Sequence, residues 1–140
     1  MQGLERALNW IRIHDLDDTD GGSSFEKTLS TVAAPLYYAA YAGLTNIVSL
    51  LLKRNADVNA QGGRFGNALQ AAAFGNHEQV MRLLLDNGAE VNAQCGFYSN
   101  ALQTAAAFRG DGQVVRLLLD NGADINAEGG YFSNALQAAA

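Results

Sequence analysis

The word Asn-Ala-Gln at Asn59 returns at Asn92, and its near copy Asn-Ala-Glu stands at Asn126, so the phrase recurs after 33 and then 34 residues. A fixed period of this length marks an array in which each unit is one small supersecondary element that buries its apolar face only by stacking on its neighbours. A longer phrase travels with it: "GNALQAAA" starts at Gly66, "SNALQTAAA" at Ser99 and "SNALQAAA" at Ser133. The question such a chain raises is what it holds, before what it catalyses.

One unit reads as two helices and a turn. In "APLYYAAYAGLTNIVSLLLKRNADVN", from Ala34, Pro35 suits the first turn of a helix, where its missing N–H costs no hydrogen bond. Ala39, Ala40 and Ala42 are small enough to admit a close neighbour. Gly43 interrupts, and Ile47, Val48, Leu50, Leu51 and Leu52 then form a nearly continuous apolar face that predicts a second helix buried between neighbours on both sides. Asn55 occupies the place of Gly88 and Gly122 in later units; Asn and Gly best tolerate the left-handed backbone that ends a helix. The glycines of "ADVNAQGGRFG" then turn the chain back as a finger.

The second unit repeats the plan with Leu69, Ala72, Ala73, Val80, Met81, Leu83, Leu84 and Leu85, and the third with Leu102, Val114, Val115, Leu117, Leu118 and Leu119. "TAAAFRGDGQ" is one residue longer than "AAAFGNHEQ", and the turn between helices is the expected home of the extra residue. The units are residues 34–66, 67–99 and 100–133, with a partial unit over 134–140.

These residues resemble the ankyrin repeat, whose familiar form has Thr-Pro-Leu-His at the start of helix one and Val-Val-x-Leu-Leu-Leu in helix two. Here the tetrad is Ala34-Pro35-Leu36-Tyr37 once and Asn-Ala-Leu-Gln three times, from Asn67, Asn100 and Asn134. Asn still caps a helix start, and Gln still bridges backbone groups between units. The resemblance implies an all-α solenoid of helix-turn-helix units with short β-turn fingers, and a protein-interaction role in place of catalysis. "NAQGGRFGNALQAAA" and "APLYYAAYAGLTNIV" are further similar to the ankyrin tails of fungal NACHT or NB-ARC signalling ATPases, in which "LNWIRIHDLD" resembles the junction before the tail. The phosphate-binding loop of such an ATPase needs Gly-Lys, and this chain has no such pair, so no nucleotide or other cofactor is expected.

Composition bears on partners. A net charge of -5 and a pI near 4.8, with scattered Lys and Arg, argue against nucleic acid. "IVSLLL" is far too short to cross a bilayer. The start "MQGLERALNWIRIHD" lacks the pattern of a secretory leader and Cys95 is the single cysteine, which together favour a reducing compartment, the cytoplasm or the nucleus, with the cytoplasm preferred.

The acidic run from His14, "HDLDDTDGGSSFE", is the nearest thing to a catalytic motif. Asp15, Asp17 and Asp18 resemble the Asp-x-Asp-Asp acid of class II terpene cyclases, but nothing else suggests the closed cavity that acid needs. The run also fits an EF-hand loop except at its sixth position, where the required Gly is Asp20. The reading preferred is a solvated linker with no metal. His77 has no Cys or His beside it and stands where the resembled family carries a structural turn histidine. Cys95 replaces the glycine found at Gly62 and Gly129, and no cation lies near it to activate the thiol.

The finger tips carry the strongest functional signal. Each has a bulky pair, Arg64-Phe65, Phe97-Tyr98 and Tyr131-Phe132, where the resembled family more often has Asp-Gly. Equivalent positions of an array line up, so these six residues are expected along the edge of the face that binds a protein partner; aromatic and Arg side chains are also the commonest interface anchors. Stapling of each finger to the next remains the competing reading. At the ends, "LERALNWIRI" (4–13) is an amphipathic helix and, with a second helix around 25–32, forms an N-terminal cap over 1–33. The partial last unit leaves an apolar edge through which the chain can self-associate.

Overall fold

The structure, a computed structural model, describes residues 34–108, 111–131 and 133–139. The proposed cap helices, the acidic run from Asp15, and Phe132 lie outside the described residues. All regular structure among those described is helical: α1 (Pro35–Tyr41), α2 (Thr45–Lys53), α3 (Ala68–Phe74), α4 (Glu78–Asp86), α5 (Ala101–Ala107), α6 (Gly112–Asp120) and α7 (Ala135–Ala139). Each odd-numbered helix packs on the next odd one and each even-numbered helix on the next even one, giving two layers that stack in register.

Local chemistry sets the starts of the first-layer helices. Pro35 opens α1, and the Asn67 and Asn100 side chains accept the backbone N–H of Gln70 and Gln103 at 2.9 and 2.8 Å, capping α3 and α5. Asn134 does the same for Gln137 at 2.8 Å. The second-layer helices end on left-handed residues, with φ of 62° at Asn55, 91° at Gly88 and 89° at Gly122. The extra residue of the third unit falls between its helices, where 108–111 replace the shorter turn 75–77.

The two layers differ in burial. Every residue of α3 from Ala68 to Ala73 is buried, because small side chains let both neighbouring helices approach. The middle second-layer helix, α4, has neighbours on both sides, as its leucine run predicts, but the second layer is less fully buried than the first. In α2 only Val48 and Leu51 are buried, while Leu50 is 44% exposed, and Leu119 of α6 is 40% exposed. The same positions are covered elsewhere in the row: Leu117 is buried where Leu50 stands in α2, and Leu85 packs on the core where Leu119 stands in α6. The core therefore runs along the seam between layers, through Leu36, Leu69, Met81, Leu84, Leu102 and Leu118.

Candidate interaction surface

The fingers form no strand among the described residues, yet they are tied to one another by backbone hydrogen bonds. Phe97 N–H donates to the Arg64 carbonyl at 3.1 Å, and Tyr131 N–H donates to the Phe97 carbonyl at 3.2 Å. This places one residue from each finger in a single line. Glycine makes the approach possible: Gly96 has φ of 70°, and a Cβ there would lie 2.4 Å from the Phe65 backbone.

Side chains reach forward across the same gap. Gln70 Nε2 donates to the Ser99 carbonyl at 3.1 Å and Gln103 Nε2 to the Ala127 carbonyl at 3.2 Å. In the first unit the equivalent residue is Tyr37, whose hydroxyl accepts the Phe65 N–H at 3.2 Å. Farther along each turn, Asn59 donates to the Gly88 carbonyl and accepts from Glu90 N–H, and Asn92 repeats both bonds with Gly122 and Asp124. The recurring Asn-Ala-Gln word is thus a clamp between consecutive units.

Within this frame the finger-tip pairs separate into two classes. Phe65 and Tyr98 are buried, 3% and 6% exposed, and stack on each other with centroids 6.0 Å apart. Phe74 lies against Phe65 at 4.4 Å, and Phe108 meets Phe74 at 4.6 Å and Tyr98 at 5.0 Å, so a column of rings joins the fingers to the ends of α3 and α5. Phe65 and Tyr98 do not stand on the outer edge where the sequence alone put them, because the residue after each tip turns inward over the ends of the first-layer helices.

Arg64, Phe97 and Tyr131 face outward. Phe97 is 48% and Tyr131 67% exposed; their rings stack at 5.0 Å and 25°, and the Arg64 guanidinium carbon lies 6.0 Å from the Phe97 centroid. Phe97 also meets Tyr98 edge-on at 4.9 Å, which couples the exposed row to the buried column. The half-buried Tyr41, Phe74 and Phe108 flank that column; sequence reading missed them because helical spacing gives no sign of contact with a finger.

The other reactive residues are occupied by structure. His77 Nε2 lies 3.0 Å from the Tyr41 carbonyl of the preceding unit. Cys95 Sγ accepts Asn67 Nδ2 at 3.3 Å and Gln70 Nε2 at 3.2 Å, and burial pushes its thiol pKa up, an effect the Asn67 bond partly opposes. No group of three His, Cys, Asp or Glu side chains suited to a metal occurs among the described residues, and none of the helices described is long and apolar enough to cross a membrane.

The sequence matches the family model described as "Ankyrin repeats (3 copies)" over residues 14–95 and 36–129. Among curated proteins it is similar to "Azaphilone pigments biosynthesis cluster protein L" of Monascus ruber, 42% identical over 78 residues that cover 49% of this chain. The chain spans 16% of that relative's length. With two layers of helices in register, inter-unit Asn and Gln bridges and a family match across most of its length, the chain belongs to the ankyrin-repeat family.

Proposed function

We propose that this chain is a protein-interaction module and not an enzyme, and that it holds its protein partner with the outward row Arg64, Phe97 and Tyr131. The observation that carries this reading is the backbone ladder from Arg64 through Phe97 to Tyr131, which holds exposed rings and a guanidinium in one rigid line. Ordering these side chains in advance lowers the entropy lost on binding. Phe65 and Tyr98 support the row from beneath, and Phe132 completes the third pair in sequence.

The test is a quantitative pull-down from cytosol with the chain and a Phe97→Ser/Tyr131→Ser variant, each shown folded by circular dichroism. Both replaced residues are exposed, so the variant keeps its core. A protein retained by the first and lost by the second supports the row as the binding surface; identical retained sets overturn it.

A place at the end of a larger fungal signalling protein of NACHT or NB-ARC type, in the cytoplasm, belongs to the same proposal and rests on "NAQGGRFGNALQAAA" and "LNWIRIHDLD". The size of the endogenous protein on an immunoblot decides it: a band near the mass of 140 residues removes the larger protein.

A further inference from the structure

Two second-layer helices end in the same words, Leu-Leu-Leu-Asp-Asn-Gly-Ala at 83–89 and again at 117–123. These hold the two Asn-Gly pairs of the chain, Asn87-Gly88 and Asn121-Gly122; in the first unit Arg54-Asn55 stands there instead. Asn followed by Gly is the pair most open to deamidation, because glycine carries no side chain to hinder attack by its own nitrogen. The Gly nitrogen loses its proton and attacks the Asn Cγ, the Cγ–Nδ2 bond breaks, ammonia leaves with that proton, and water then opens the five-membered imide to Asp or isoaspartate. Both pairs lie at the surface, where water reaches them.

The fold restrains each group in that step. Asn87 and Asn121 are helix C-caps with ψ of 16° and 13°, whereas ring closure needs the Asn backbone turned out of the helical range so that the Gly nitrogen comes onto Cγ. Asn87 Nδ2 donates to the Leu83 carbonyl at 2.7 Å and Asn121 Nδ2 to the Leu117 carbonyl at 2.8 Å, which holds each amide over its own helix end. The Gly88 and Gly122 N–H groups donate to the Leu85 and Leu119 carbonyls at 3.1 and 3.0 Å. The last restraint comes from the preceding unit: Asn59 Nδ2 donates to the Gly88 carbonyl at 3.1 Å and Asn92 Nδ2 to the Gly122 carbonyl at 2.9 Å. Turning the Asn–Gly peptide moves the glycine, so the clamp between units also locks the reactive bond.

We propose that Asn87 and Asn121 are deamidation sites kept closed by the unit before each, so that their conversion to Asp or isoaspartate follows separation of one unit from the next. The change is one-way. Asp has no side-chain N–H to return to the Leu83 or Leu117 carbonyl, and its charge sits at the C-terminal end of the helix, where the helix dipole opposes it. Isoaspartate adds a carbon to the backbone between the helix and the finger that follows. The sites lie apart from the finger row, so the two readings fail independently.

The shared local sequence makes the test clean, since the two sites have the same intrinsic chemistry and differ only in their clamps. The parent chain, Asn59→Ala and Asn92→Ala are incubated at mildly alkaline pH beside free peptides of residues 83–91 and 117–125, with circular dichroism on each protein, and conversion at each Asn is read by peptide mass spectrometry. The free peptides are expected to convert about ten-fold or more faster than the same sites in the folded parent, because reaction follows the opened population. Asn59→Ala should speed conversion at Asn87 about ten-fold while Asn121 changes by less than about two-fold, and Asn92→Ala should do the reverse. Where an alanine variant does not fold, Asn59→Gln or Asn92→Gln, with an amide of the wrong length, takes its place. Parent sites that convert as fast as the peptides, variants that leave both sites unchanged, or equal acceleration of both sites by either variant overturns the proposal, the last by making global unfolding the route.

Discussion

The His77 ring bonds to the Tyr41 carbonyl at 3.0 Å while filling the space in front of Gly43, where a Cβ would lie 2.6 Å from the imidazole. One side chain thereby joins the turn of the second unit to the end of the first unit's helix. His77→Ala is expected to lower stability by about 1–3 kcal/mol, since it leaves a partly buried carbonyl unpaired. Gly43→Ala should also destabilise, through the clash and through φ of 71°. In the double variant the clash is gone, while the lost hydrogen bond and the φ penalty remain, so urea titration of the four proteins should give a combined loss smaller than the sum.

The split of the finger pairs predicts unequal costs for similar rings. Phe65→Ala removes a buried member of the aromatic column and is expected to cost about 3–5 kcal/mol. Phe97→Ala removes a half-exposed ring and should cost about 1 kcal/mol or less. Equal losses in chemical denaturation would contradict the inward and outward assignment.

The Asn clamp gives a comparison within one sequence. Asn59 and Asn92 each make two bonds to the next unit, so Ala at either position is expected to cost about 1–3 kcal/mol. Asn126 has the same place in its own unit, but its side chain makes no such bridge among the described residues; Asn126→Ala should stay within about 0.5 kcal/mol of the parent. Thermal melts of the three variants check the ranking.

Cys95 gives a pH prediction. Burial raises its folded-state pKa above the ordinary value of 9.0, so the unfolded chain ionises first. Stability associated with the protonated thiol is intact below pH 9.0 and declines as pH rises through the folded value. The denaturation midpoint of the parent relative to Cys95→Gly should hold steady through neutral pH and fall in the alkaline range. Iodoacetamide should likewise react more slowly with the folded chain than with the urea-unfolded one, because the reactive thiolate is scarcer.

Periodicity was sufficient to read the repeat, its helix starts at Asn67 and Asn100, its left-handed stops at Asn55, Gly88 and Gly122, and the extra residue before α6, because each depends on backbone preferences within a few residues. A run of Leu specifies a face to bury without saying how fully each copy is covered: Leu50 is exposed at the position where Leu117 is buried. Which of Arg64-Phe65 and Phe97-Tyr98 turns inward was likewise open in the sequence. Adjacent residues of a finger are close in size, and the choice is made by Phe74 and Phe108, at the far end of the helix that follows each finger, and by the bonds that set each finger against the next. The chain alone determined what repeats; stacking decided which copies of the same residue are clamp, core or open surface, because burial belongs to a residue's neighbours in space and not to its neighbours in sequence.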